Sequence, residues 1–192
     1  MEPYLQQLTA WRRHLHQHPE LSFEEVETSR FIAEEMGKLK HASRIERLTP
    51  TSVVVVFATG KPGAKIGLRA DIDALPIQEE RDDLPFRSVN DGKMHACGHD
   101  FHISSVLGAA LLLKQREAEL AGRVRLFFQP AEEAPGGAKV LIEAGALQDV
   151  AAIFGLHASP LLEVGTVGIS EGAVMAAVDR FVFRFRGRGA HA

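Results

Sequence analysis

Near the start of the chain, apolar residues recur at helical spacing. Leu5, Leu8, Trp11 and Leu15 fall on one face of a segment running from residue 3 to 17. Pro3 suits the first turn of that helix, and His18-Pro19 ends it, because proline disfavours the helical conformation of the residue before it. Ser22 is expected to open a second helix, with Glu25 at capping-box spacing and Val26, Ile32, Met36 and Leu39 on the inward face. The pattern then changes to β-branched runs. Residues 52–58 (SVVVVFA), the turn-former TGKPG and the run KIGLRADID predict two strands joined by a tight connection. The polar segment 76–92, broken by Pro85 and Asp91-Gly92, predicts a loop. The stretch ISSVLGAALLL predicts a buried helix over 102–113 that continues into the charged KQREAE. RVRLFFQ (123–129) predicts a strand, 137–144 a short helix closed by Gly145, and 151–156 another buried strand. A further strand pair is expected at 164–169 and 178–186.

Strands alternating with helices argue for an α/β domain whose central sheet is mostly parallel or mixed and flanked by helices. A length of 192 residues allows one good-sized core and at most two small domains. Hydrophobic content of 45% and charged content of 24% are those of a soluble globular protein. The net charge of -3 offers no basic patch, which argues against nucleic-acid and membrane-surface partners. A single cysteine cannot form an internal disulfide, the N-terminus has no signal-peptide pattern, and no apolar run approaches the roughly 20 residues that span a bilayer. A cytoplasmic location is the expectation.

Candidate chemistry concentrates in Met94 to His102, MHACGHDFH, which holds three histidines, the only cysteine and an aspartate. In an extended segment Cys97 and His99, two apart, point to the same side. A thiolate and an imidazole converging in that way suit a borderline-soft divalent ion such as zinc, whereas a cysteine alone is more often a small core hydrophobe. Glu132-Glu133 and His157 follow later apolar runs, just past the C-terminal ends of expected strands, where open α/β sheets place ligands. Neighbours in an extended turn point apart, so one carboxylate of the pair can ligate a metal while the other faces substrate as a general base.

The motifs RRHLHQHPELSFEE, LRADIDALPIQE, MHACGHDFH, FFQPAEE, GLH and GRGAHA occur in that order. With them the chain resembles the metal-dependent amidohydrolases that include hippurate hydrolase, bacterial aminoacylases, indole-acetyl-amino-acid hydrolases and N-acetyldiaminopimelate deacetylase. The resemblance covers essentially all of the chain and the N-terminal half of those enzymes. It implies part of a zinc-peptidase-like catalytic domain over residues 1–175, then the first strand of an inserted α+β lid or dimerisation domain over 176–192. It implies two divalent ions (manganese, zinc, cobalt or nickel) held by Cys97, His99, Glu133 and His157, with Cys97 as the bridge. A two-metal centre would clamp the attacking water and the developing oxyanion, and an anionic bridge would offset repulsion between the cations.

The same resemblance implies Glu132 as general base, Asp73 as the carboxylate that orients a ligating imidazole, and His191 as a donor to a substrate carbonyl across a dimer interface. Asp71 has a turn or cap role as its alternative, and Asp100 and His102 are supporting residues or helix-start residues. His16, near a helix end, is read as packing or capping. The implied reaction is hydrolysis of the amide of an N-acyl amino acid, a small-molecule partner, by a protein that is a homodimer at full length. Two other readings stand beside it: Cys97 as a nucleophile with a histidine base, and an inactive domain kept for binding or assembly. Family members continue through the lid and back into the catalytic domain, where a further histidine ligand lies. Residues 1–192 are therefore expected to be a truncated form with a weakened metal site, little hydrolysis and an uncovered strand edge.

Overall fold

The run RVRLFFQ forms the middle strand of a five-stranded sheet, and the site is built from what lies beside it. The computed structural model describes residues 2–39, 43–189 and 191. In chain order the elements are α1 (Glu2–Gln17), α2 (Val26–Gly37), β1 (Ser43–Glu46), β2 (Val53–Ala58), β3 (Lys65–Asp71), α3 (His99–Gln115), β4 (Arg123–Gln129), α4 (Gly137–Glu143) and β5 (Ala152–Gly155). A short 3-10 turn over Glu117–Glu119 joins α3 to β4. The strand order is β1-β2-β4-β3-β5. β2 runs antiparallel to β1 and to β4, while β3 runs parallel to both β4 and β5. The sheet is therefore mixed.

Alternation along β2 sends Val53, Val55 and Phe57 to one face and Val54 and Val56 to the other, and all five are buried. The first set packs with Trp11 and Leu15 of α1, Ile32 and Met36 of α2, and Ile103 and Leu107 of α3. On the opposite face Val54, Val56 and Phe127 meet Leu141 of α4 and Ala146. Burying each such side chain contributes on the order of 1.5–3 kcal/mol, so a strand apolar on both faces is driven to the sheet interior.

Several sequence expectations are corrected. β2 and β3 do not form a hairpin: β4 inserts between them, bonding β2 on one side and β3 on the other. Turn chemistry at TGKPG reports a reversal of direction, not which strands pair. β1, a polar SRIE edge, gave no strand signal. α2 begins at Val26 rather than near Ser22. Glu25 makes no side-chain cap bond, and the Ser22 hydroxyl donates instead to Asp73 Oδ2 at 2.6 Å. Val26 is exposed, whereas Ile32 and Met36 are buried as expected. β5 is exposed rather than buried, because it pairs on one side only.

The chain divides into two compact units, residues 1–158 and 159–192. Every helix and strand named above lies in the first. Among its described residues the second has turns and bends but no regular helix or strand, so the strands expected at 164–169 and 178–186 are not formed. Alternation marks a face that a partner strand could cover, and no such ladder is present there. Among the described residues no helix is long and apolar enough to cross a membrane.

Candidate metal centre

Three parallel strands end together. In register, Asp71 of β3 lies beside Gln129 of β4, and Arg69 of β3 beside Gly155 of β5. The segments leaving those ends carry Asp73, Glu132-Glu133 and His157, and the start of α3 brings Cys97 and His99 to the same place.

His99 is the hub. It is fully buried, and its Nδ1–H donates to the Asp73 carbonyl oxygen at 2.8 Å, which in the neutral ring leaves the Nε2 lone pair free. Around Nε2 stand Asp71 Oδ2 at 3.6 Å, Glu133 Oε1 at 3.8 Å and Glu132 Oε2 at 3.9 Å. Nε2 is buried yet has no hydrogen-bond partner among the described residues. Buried polar atoms are rarely left so, and three carboxylates gathered around a lone pair make a pocket of negative potential. A cation meets both needs.

Three groups of donor atoms, each within 4.8 Å of one another, share His99: Cys97 with His157, Asp71 with His102, and Glu132 with Glu133. Sulfur, imidazole and carboxylate in this mixture suit zinc and its first-row neighbours. The residues present, with His99 common to all three groups, thus offer donors of the kind that fit the divalent ions implied by the sequence.

Cys97 and His99 do converge, though not along an extended segment. Cys97 lies in a turn, Gly98 takes the left-handed conformation at φ 90, and His99 is the first residue of α3. The glycine lets the chain reverse its twist there without a Cβ clash. Cys97 Sγ lies 3.4 Å from His157 Nε2, whose Nδ1–H donates to the Ala158 carbonyl at 2.7 Å. In the neutral ring this leaves His157 Nε2 facing the thiol as an acceptor. Burial, then the adjacent Glu133 carboxylate, pushes the Cys97 thiol up to about 12. Such a thiol is a poor nucleophile at neutral pH until a cation displaces its proton.

Glu132 and Glu133 do not point apart as neighbours in an extended turn would, since both carboxylates reach toward His99. They differ in exposure: the Glu132 side chain is 42% accessible and that of Glu133 22%. Asp73 is buried, its Oδ2 accepting the Ser22 hydroxyl and, at 2.9 Å, the Glu133 N–H. Burial alone would raise its carboxyl, but bonds from His99, Ser22 and the Glu133 and Glu132 backbone hold it down at about 2. Asp73 thus stays an anion whose carboxylate fixes the Glu133 backbone, while its carbonyl oxygen fixes the His99 imidazole.

Asp71 and His102 form a buried pair, with Nδ1–H donating to Asp71 Oδ1 at 2.6 Å. His102 Nε2 accepts the Ala158 N–H at 2.8 Å, tying α3 to the residue after His157. Both ring nitrogens of His102 are thereby engaged. His191 lies in the second unit, exposed and outside regular structure.

Behind the centre, buried His16 bridges two carboxylates, with Nδ1 2.9 Å from Asp100 Oδ2 and Nε2 3.1 Å from Glu79 Oε1. Arg12 adds a longer contact to Asp100 at 3.4 Å. An imidazole flanked by two anions must donate from both nitrogens, so the imidazolium is favoured. The Asp100 bond, with Glu79 behind it, raises His16 above 6.5 despite its burial. A pKa raised on folding gives stability that is full below 6.5 and is lost as pH rises through the folded value. Asp100 and Glu79, lowered from 3.8 and 4.5 against the pull of burial, contribute only above those values. The melting-temperature deficit of His16→Gln is therefore expected to be largest between about pH 5 and 6.5 and to shrink at alkaline pH. A deficit independent of pH would contradict this.

Comparison with known proteins places the arrangement. A model of peptidase family M20/M25/M40 matches residues 67–189, more than half of the chain. The chain belongs to that family. Among its relatives, N-acetylcysteine deacetylase of Bacillus subtilis (strain 168) is 52% identical over 185 residues, covering 94% of this chain and 47% of the relative. N-acyl-L-amino acid amidohydrolase of Geobacillus stearothermophilus is 46% identical over 183 residues, covering 95% of this chain and 49% of the relative. The crystal structure of the Bacillus subtilis YXEP protein, a dinuclear metal binding peptidase from the M20 family, superposes with a TM-score of 0.84 at 49% identity. That match covers 90% of this chain and 48% of the other. The chain thus spans about half the length of the curated relatives it matches.

Proposed function

We propose that the chain carries the metal-binding part of an amidohydrolase that cleaves the amide bond of N-acyl amino acids. The observation behind this reading is the unpartnered, buried His99 Nε2 at the focus of Cys97, His157 and three carboxylates. The named activities of the deacetylase and amidohydrolase relatives point the same way. Two divalent ions, when bound, would supply Lewis acidity toward an amide carbonyl and would lower the pKa of water.

The remaining work falls to the chain's own groups. Cys97, His99, Glu133 and His157 would hold the ions, Cys97 as a thiolate whose charge would offset that of both. Asp73 holds the His99 tautomer through its carbonyl oxygen and fixes Glu133 through that residue's N–H. Glu132, the more exposed carboxylate, is the proposed base that takes a proton from water and delivers it to the leaving amine. His191 is the proposed donor to the substrate carbonyl in the homodimer.

The test is elemental analysis of the purified chain alongside a hydrolysis screen of N-acetyl and N-benzoyl amino acids with a form extended to the full length of its relatives. Release of free amino acid that stops with a chelator and returns with manganese, cobalt or zinc is the expected result. Hydrolysis indifferent to chelator but abolished by thiol alkylation would overturn it in favour of a cysteine nucleophile.

A further inference from the structure

We infer that Glu25 is a positioning residue for the turn that presents Glu132 and Glu133. Glu25 precedes α2, far along the chain from the centre, and belongs to no candidate donor group. It does not cap its own helix, since no side-chain cap bond forms. Yet it is fully buried, and a buried carboxylate persists only with hydrogen-bond donors. Its Oε1 accepts the Ala131 N–H at 2.7 Å, from a residue 106 positions away.

Ala131 is not an ordinary partner. It lies at φ 51, in the left-handed region that a residue with a Cβ adopts only when its surroundings hold it there. That conformation turns the chain sharply after β4, so that the two following carboxylates both reach His99. Two further ties fix the same turn. Glu133 N–H donates to Asp73 Oδ2 at 2.9 Å. Gly137, opening α4, lies so close that a Cβ there would meet the Pro130 carbonyl oxygen at 2.0 Å and that of Ala131 at 2.4 Å. Of the three ties, Glu25 alone holds the left-handed residue by its N–H. Burial raises the Glu25 carboxyl above its usual range, opposed by its own N–H and those of Ala131 and Phe23 and by the Thr51 hydroxyl. Oε1 accepts the Ala131 bond in either protonation state.

The metal consequence rests on the proposed ligand role of Glu133, so the test reads the turn and the metal separately. Amide hydrogen exchange reads the turn. In the parent chain the Ala131 amide, outside any helix or strand, is expected to exchange as slowly as β4 amides, and fast exchange there overturns the proposal without any variant. Cobalt(II) titration, followed by absorption and calorimetry, reads the metal. Glu25→Met, similar in length but without an acceptor, is expected to release the Ala131 amide and to weaken the tighter cobalt site by about tenfold or more. Glu25→Gln, which keeps an acceptor oxygen, is expected to stay within about threefold of the parent. Adding Ala131→Gly to Glu25→Met is expected to recover much of the lost affinity, because glycine reaches φ 51 without a Cβ penalty. A purely structural role for Glu25 predicts no such rescue. Equal losses in the Gln and Met variants, unchanged affinity in Glu25→Met, or absence of rescue would each overturn the proposal. A parent chain that binds no cobalt would defeat the ligand assignment, while the Ala131 exchange would still decide the role of Glu25.

Discussion

In a form extended to the full length of its relatives, replacing Glu132 by glutamine is expected to lower the hydrolysis rate of an N-acyl amino acid by about 100-fold or more while leaving bound metal in place. Glutamine keeps the size and one acceptor oxygen of the side chain but cannot take a proton. Its carboxylate is the more exposed of the acidic pair and stands 3.9 Å from His99 Nε2, close enough to meet a water at the centre. Turnover and metal content are measured together in parent and variant. Metal lost from Glu132→Gln, with residual rate proportional to the metal remaining, would exchange the roles of Glu132 and Glu133.

The second large effect is on binding. Cys97→Ala is expected to abolish binding of at least one ion, because it removes the proposed anion between two cations. The Cys97 thiol, pushed up to about 12 by burial and then by Glu133, lies 3.4 Å from His157 Nε2. A bound cation would require the thiolate form, whose charge would offset that of both proposed ions. Two ions per chain retained tightly by Cys97→Ala would sink the bridging assignment.

Much of this was legible in the sequence because local pattern and burial agreed. The boundaries of α1, β2 and β4 follow from Leu5, Leu8, Trp11 and Leu15 at helical spacing and from two dense apolar runs. Pairing was not legible, since nothing in TGKPG says that β4 will insert between β2 and β3. β1 was missed because an edge strand tolerates polar residues such as Arg44 and Glu46. At the centre, residue types marked Cys97, His99, Glu132, Glu133 and His157, and the sheet end gathers them. The means of convergence was hidden, because it depends on left-handed Gly98 and Ala131 rather than on extended alternation. Asp71–His102, His16–Asp100 and Glu25–Ala131 escaped notice for a shared reason. Each is a long-range bond between residues that look locally like caps or turn formers.

The most direct test of the centre is zinc K-edge X-ray absorption on the zinc-loaded chain. The expected spectrum shows sulfur at about 2.3 Å among nitrogen and oxygen ligands at about 2.0–2.2 Å, and a second zinc at about 3.5–4 Å. A zinc shell of nitrogen and oxygen alone, with no sulfur and no neighbouring zinc, would contradict a two-ion site bridged by Cys97.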